Sequence, residues 1–302
     1  MLSLQTINFK FSVIIPSYNS GKNICKTLDS LVAQTYKNFE VILSDDGSKD
    51  NTLQYAGEYS SKLNLKILSN ENWGGPARPR NLGIKASSGE WIAFLDHDDF
   101  WYEDKLEEVS KLTENFDVIY HDLTIYNNTG KTGKTTRGWH LGGTPFVSLM
   151  TTGNAISNSS AVVRKSLIEQ VEYIDETREL MTVEDYDLWL KIALKTNRFH
   201  YIHKSLGGYL LEPGQNMSSA SARKIDRFNY IHQKYIGLLT EDQRKKSVAA
   251  VCYSKARIYH QIMDIPKALT NYQMALFSNR WSIKIKALIG IIMLFFLKIF
   301  KS

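Results

Sequence analysis

The chain has 302 residues, of which 43% are hydrophobic and 23% charged, with 18 glycines and 6 prolines. That length exceeds the roughly 100–200 residues of a common single domain and supports a substantial core, while the composition excludes a collagen, a low-complexity chain or wholesale disorder. The formal net charge of +6 hides an asymmetry, because residues 223–302 hold 15 lysines and arginines against 4 acidic residues and leave the first 222 residues net acidic.

In chain order, the β-branched apolar runs Phe11–Ile15, Phe39–Leu43, Leu65–Leu68, Trp91–Leu95 and Val118–Tyr120 predict strands. Helical stretches at Lys22–Gln34, Asp50–Ser61, Pro76–Ala86 and Glu103–Leu112 fall between them, the alternation of βαβ units that build a mostly parallel sheet. Pro76 suits a first helical turn, and Ser48 or Asp50 suits an N-cap. From Asn127 to Thr152 the pattern breaks into Gly, Thr and Lys around Trp139 and His140, too polar for a buried strand, and predicts a loop region. Ala161–Arg164 then reads as a strand. Val183–Lys195 reads as a helix that opens on Glu184, Asp185 and Asp187, where the helix dipole favours carboxylates.

After Arg223 the pattern is wholly helical. Ala256, Tyr259, Ala268, Tyr272 and Ala275 fall where a tetratricopeptide-like helix pair places small and aromatic packing residues, and one such pair cannot bury its own face, so it is expected to pack on the domain formed by the preceding residues; the competing reading is a partner-binding module. Ala287–Leu297 is an apolar run of 11 residues bracketed by Lys284, Lys286, Lys298 and Lys301. It is short of the roughly 20 residues that span a bilayer, so 281–300 is expected to lie in the interface of an anionic leaflet; the competing reading is a helix buried as core. Cys25 and Cys252 form neither a disulfide framework nor a CxxC site, and Met1–Lys10 lacks a secretory pattern, so a cytoplasmic location is expected.

The chemistry gathers at strand ends. Pro16-Ser17-Tyr18-Asn19 closes the first strand at the carboxyl edge, where open α/β sheets bind ligands. The second strand closes on Asp45-Asp46-Gly47-Ser48. Asp46 can accept a hydrogen bond from a uracil imide and Tyr18 offers a ring to the base; the plainer reading of the acidic pair is a solvated turn and cap. Asp96-His97-Asp98-Asp99 puts three carboxylates within four residues after an apolar run, an arrangement unfavourable unless solvated or neutralised by a cation. Oxygen ligands suit Mg²⁺ or Mn²⁺ carried by a diphosphate. Arg78 and Arg80, in the stretch Asn72–Asn81, can hold that diphosphate or pair with a nearby Asp.

Together, in this order and spacing, these motifs resemble the inverting family 2 glycosyltransferases of the GT-A fold, over about Phe11 to Ser218, and in particular bacterial surface-polysaccharide members with a D-x-D-D motif and an A-R-x-R-N stretch. The resemblance implies a Rossmann-like nucleotide-diphospho-sugar transferase fold, a mixed, mostly parallel sheet with a helical C-terminal extension, divided into a catalytic domain at 1–222 and a basic helical region at 223–302. It implies that Pro16, Tyr18, Asn19 and Asp46 line the nucleoside pocket, that Asp96 meets the ribose and that Asp98 holds the metal. Glu184-Asp185 matches the family's Glu-Asp pair, which makes Asp185 the general base that an acceptor hydroxyl requires. The family's Tyr-Arg and His before a Ser in the closing loop are only half kept in Tyr209–Ser218, which has the Tyr and Ser but neither the Arg nor the His. Trp139 and His140 are weaker candidates for an acceptor site.

The function implied is transfer of a hexose from a UDP-sugar to a polyprenyl-diphosphate-linked oligosaccharide, with a β-glycosidic product in O-antigen or capsule synthesis, at the cytoplasmic face of the inner membrane. A glycoside hydrolase using Asp98 and Asp185 leaves the nucleotide motifs unused. A non-catalytic, membrane-associated sugar-nucleotide-binding protein leaves the D-x-D and Glu-Asp pairs unexplained. Nucleic-acid binding lacks a recognition motif in the basic tail.

Overall fold

The computed structural model describes residues 10–211, 222–278 and 280–299. In chain order the elements are β1 (Phe11–Ser17), α1 (Asn23–Val32), β2 (Phe39–Asp45), α2 (Thr52–Gly57), β3 (Leu65–Ser69), α3 (Ala77–Ala86), β4 (Trp91–Phe94), β5 (Phe100–Trp101) and α4 (Lys105–Ser110). There follow β6 (Val118–Asn127), β7 (Gly130–Thr136), α5 (Pro145–Thr152), β8 (Val162–Arg164), α6 (Lys165–Gln170), α7 (Glu184–Ala193) and β9 (Phe199–Leu210). The chain continues through α8 (Ala222–Tyr235), α9 (Glu241–Gln261), α10 (Ile265–Ala275) and α11 (Trp281–Ile299).

Among the described residues the chain divides into two compact units that interleave in sequence: 10–140, 156–176 and 195–211 form one, and 141–155, 177–194, 222–278 and 280–299 the other. Residues 141–155 and 177–194 thus group with the basic helices rather than with the rest of 1–222. The helices α5 and α7 join the basic helices because their contacts are there: the Tyr186 hydroxyl donates to the carbonyl of Leu149 at 2.8 Å, and the rings of Phe146 and Tyr235 meet edge to face at 5.9 Å.

The first unit is built on a sheet ordered β3-β2-β1-β4-β8-β6-β9-β5, with β7 added to β6. Pairing is parallel through β3, β2, β1 and β4, and turns antiparallel where β8 joins β4 and β6. The expected mixed sheet is thus present, with its parallel character concentrated in the first half and repeated in the β6–β9 pair. The strands β1, β2 and β4 are buried at every residue, the continuous apolar reading of a sheet covered on both faces. Val13, Ile15, Val41, Leu43 and Ala93 share one face with Leu28 and Leu31 of α1. Several elements were not legible in sequence. The region expected to be loop holds α5 and β7, an edge strand with no buried residue that pairs, among the described residues, with β6 alone. The long strand β9 carries Lys204 and two glycines and lacks clean alternation, so its pairing is what makes it a strand.

In the second unit, Ala256, Ala268, Tyr272 and Ala275 are buried between α9 and α10, as the helix-pair spacing predicts, and α9 begins with a capping box formed by Thr240 and Gln243. The exposed face of that pair is covered by α11 through Ile283, Ala287 and Leu294. The helix α11 is therefore core only along one stripe, and no described helix is long and apolar enough to cross a membrane.

Candidate active site

Parallel register brings Ser17, Asp45 and Ser69 level at the carboxyl ends of β1, β2 and β3, and β4 ends two residues before Asp96 on the same edge. This follows from the sequence, since every apolar run there stops at a polar turn. Asn19 adopts φ 47°, a left-handed conformation that asparagine tolerates. Its backbone N–H donates to the Ser48 hydroxyl at 2.8 Å, and its Oδ1 accepts from the Lys49 amide at 2.8 Å. Asn19 thus ties the end of β1 to the turn after β2. Pro16 is buried, and its carbonyl lies 3.2 Å from Nδ1 of His97. Tyr18 is 46% exposed and presents an open ring beside this edge.

Asp45 accepts the Ser48 amide and hydroxyl, which shapes a turn with Gly47 at φ 78°. A Cβ at Gly47 would lie 3.0 Å from the Asn72 amide, so both the conformation and the space call for glycine. Asp46 is buried, and its carboxylate takes two backbone amides, Trp73 at 2.8 Å and Gly74 at 2.9 Å. Sequence reading reserved Asp46 for a nucleobase; the geometry adds a structural duty, that of folding the 72–75 turn.

The two arginines part company. Arg80 has a side chain only 5% exposed and donates from Nη2 to Asp96 Oδ1 at 2.7 Å. It is buried against Asp96, the pairing with a nearby carboxylate that the sequence offers as the alternative to a diphosphate. Arg78 is exposed and lies over the ring of Trp73, 4.9 Å from its centroid. Asp96 also accepts from Asn158 Nδ2 at 2.9 Å, and its backbone amide donates to the Ser159 hydroxyl at 3.1 Å.

Asp98 is half-buried and Asp99 buried. Asp99 Oδ2 accepts from the Ser159 hydroxyl at 2.5 Å and Oδ1 from the Leu210 amide at 3.1 Å. Burial first, then the charges of Asp98 and Asp96, push its carboxyl well above the usual range. The Thr27 hydroxyl on α1 lies 2.8 and 2.7 Å from the carbonyls of His97 and Asp99 and holds the acidic loop against the sheet. Thr27, Asn158 and Ser159 were missed in sequence, since a hydroxyl or amide far along the chain has no local signature until the fold brings it close.

Trp139 is half-buried and His140 exposed, with the Trp139 carbonyl accepting from the Tyr120 hydroxyl at 2.6 Å. In the second unit, α7 opens on buried Glu184 and half-buried Asp185, whose Oδ1 accepts the Tyr186 amide at 2.7 Å. Asp187 is fully buried and anchors α8, accepting from the Tyr235 hydroxyl at 2.8 Å and from Lys234 Nζ at 2.9 Å. Arg227 of α8 also donates to the Thr182 hydroxyl at 2.8 Å, at a residue with φ 72° just before α7. These bonds brace the turn that carries Glu184 and Asp185. Of the closing loop, Tyr209, Leu210 and Leu211 are described, while 212–218 lie outside the described residues.

Residues 12–172 match the glycosyl transferase family 2 domain. The poly(ribitol-phosphate) β-N-acetylglucosaminyltransferase TarS of Staphylococcus aureus is 32% identical over 216 residues, 70% of this chain and 37% of that protein. The chain thus spans little more than a third of that relative's length. The UDP-Glc:α-D-GlcNAc-diphosphoundecaprenol β-1,3-glucosyltransferase WfgD of Escherichia coli is 33% identical over 198 residues, covering 65% of this chain and 74% of that protein. The crystal structure of S. aureus TarS superposes with a TM-score of 0.63 at 25% identity, over 91% of this chain and 50% of that one, and carries the same GT-A arrangement.

Proposed function

Because the chain belongs to glycosyl transferase family 2, we propose that it transfers a hexose from a UDP-sugar to a lipid-linked oligosaccharide, with inversion, in the synthesis of a bacterial surface polysaccharide such as O-antigen or capsule. The observation that carries this reading is the acidic edge after β4, with Asp96 fixed by Arg80 and Asn158 and followed at once by Asp98 and Asp99. The name of WfgD, which specifies a UDP-sugar, a diphosphoundecaprenol-linked acceptor and a β linkage, supports the choice of donor and acceptor.

In this reading the uridine lies along Tyr18 with Asp46 near its imide, Asp96 accepts from the ribose, and exposed Arg78 meets the diphosphate. Asp185 takes the proton of the acceptor hydroxyl as that oxygen bonds the anomeric carbon and the bond to UDP breaks on the opposite face. One such displacement turns an α-linked donor into a β-linked product. Asp185 has an ordinary competing explanation as a helix-start carboxylate, but its half-open position suits a base better than that of buried Glu184.

A divalent cation fits the donor set at the acidic edge. Its oxygens are hard ligands, and Asp96, Asp98 and Asp99 place three carboxylates within four residues at the end of β4. Among the described residues no three His, Cys, Asp or Glu side chains are grouped to hold a metal by themselves. Asp98 would hold Mg²⁺ or Mn²⁺ together with the donor diphosphate, and the ion would stabilise charge on the departing UDP. Attachment to the cytoplasmic face of the inner membrane completes the reading, with the exposed apolar side chains of α11 resting on an anionic surface.

The test is UDP release from a panel of UDP-sugars with and without chelator, alongside Asp98→Asn. Metal-dependent release that Asp98→Asn abolishes, with the fold intact, is the expected result; a panel without any metal-dependent release or protection against unfolding ends the reading.

A further inference from the structure

We propose that the cavity between α9, α10 and α11 receives the phosphate headgroup of an anionic phospholipid, so that the helical unit grips an individual lipid as well as resting on a charged surface. The inference builds on the interfacial reading of α11 and adds a defined binding site to it. The cavity has a volume of about 360 Å³. Its polar part comes from Tyr253, Arg257, His260 and Gln261 of α9, Tyr272 of α10 and Lys286 of α11. No carboxylate lines it, and among the described residues neither Arg257 nor Lys286 has an acidic partner.

Arg257 and Lys286 are both exposed at this cavity and free to turn toward one anion, and a phosphate diester offers oxygens for a guanidinium, an ammonium and hydroxyl donors. The hydroxyls are at hand. The rings of Tyr253 and Tyr272 lie 6.3 Å apart, and both line the cavity together with Arg257. Nδ1 of His260 lies 3.2 Å from the Tyr272 hydroxyl and orients it. Gly290 lets α11 approach here, since a Cβ at that position would lie 2.5 Å from the Tyr272 ring.

An inorganic anion alone leaves the remaining wall unexplained. Ile289 and Met293 line the cavity and also belong to the open face of α11, together with Ile285, Leu288, Ile292 and Phe296. Trp281, at the start of that helix, is 76% exposed. Among the residues of α11 whose side chains are described, Ile283, Ala287, Gly290 and Leu294 are buried and Ile291 is partly buried, while Ile285, Leu288, Ile289, Ile292, Met293, Phe295 and Phe296 are exposed. The occupant therefore needs a negative head and an apolar body in continuity. A second copy of this chain would match the apolar face but would bring the same excess of lysine and arginine to the contact. A phospholipid satisfies both demands, with its phosphate in the cavity and its acyl chains along α11.

The test uses the full chain in vesicle flotation, with phosphatidylcholine alone and mixed with phosphatidylglycerol, and calorimetry with dihexanoyl-phosphatidylglycerol below its micelle concentration. Arg257→Gln/Lys286→Gln is compared with Lys267→Gln/Lys284→Gln, which removes equal charge from residues that do not line the cavity. We expect both pairs to weaken flotation by about tenfold or more through lost surface charge, whereas with the soluble lipid the cavity pair should lose about tenfold or more and the control pair should not change. Equal losses for the two pairs with the soluble lipid, or unchanged soluble-lipid affinity in the cavity pair, overturn the proposal in favour of diffuse surface charge. Tighter binding of farnesyl diphosphate than of the phospholipid overturns it in favour of the acceptor's lipid, and a dimer that covers α11 in light scattering overturns it in favour of self-association. Soluble-lipid binding at the cavity without flotation on any vesicle sustains the proposal while refuting the interfacial placement of α11.

Discussion

Replacing Arg80 tests whether its task is to hold Asp96 or to hold a diphosphate. In Arg80→Ala a side chain 5% exposed disappears, and Asp96, 28% exposed, loses a 2.7 Å charge-assisted bond while keeping Asn158. Such bonds contribute about 1.5–3 kcal/mol, and the partial exposure of Asp96 screens the pair, so the interaction energy should be about 1–2 kcal/mol. A double-mutant cycle of Arg80→Ala and Asp96→Asn in urea denaturation isolates that term from the loss of the arginine's packing. Calorimetry with UDP should show each single variant weakened by about tenfold and the double variant little worse than either. A coupling energy within about 0.3 kcal/mol of zero, with the two losses in UDP affinity additive, would show that Arg80 and Asp96 act separately and would refute the positioning role.

Asp46→Ala leaves the amides of Trp73 and Gly74 without their acceptor and should cost about 1–3 kcal/mol in denaturant stability as well as uridine affinity; a stability loss with UDP affinity unchanged removes the nucleobase role alone. Asp185→Asn should bind the UDP-sugar normally and turn over about 10²–10⁴-fold more slowly, with near-normal turnover moving the base elsewhere. Asp99 has a carboxyl raised by burial and by neighbouring charge, so it contributes stability below its unfolded pKa that is lost as pH rises through the raised folded value. The stability of Asp99→Asn relative to the parent should therefore improve with pH across that interval, and parallel pH profiles would contradict the shift.

The strands of the first sheet half were legible because their apolar runs are continuous and end on polar turns, which local chemistry alone dictates. The Asp45–Ser48 and Asp96–Asp99 motifs were legible for the same reason, being short, contiguous and placed at strand ends. The strand β9 and the edge strand β7 were not, because Lys204, Gly207 and the threonines of β7 become strand only through partners that supply their hydrogen bonds. Nor could sequence divide the labour of the arginines: Arg78 and Arg80 lie two residues apart, and helical geometry leaves one over Trp73 and buries the other against Asp96. Residue types and their order along the chain determined which groups stand at the sheet edge. Tertiary packing decided which of those groups stay open to a ligand, since burial and hydrogen-bond partners depend on segments as distant as Thr27, Asn158 and Leu210.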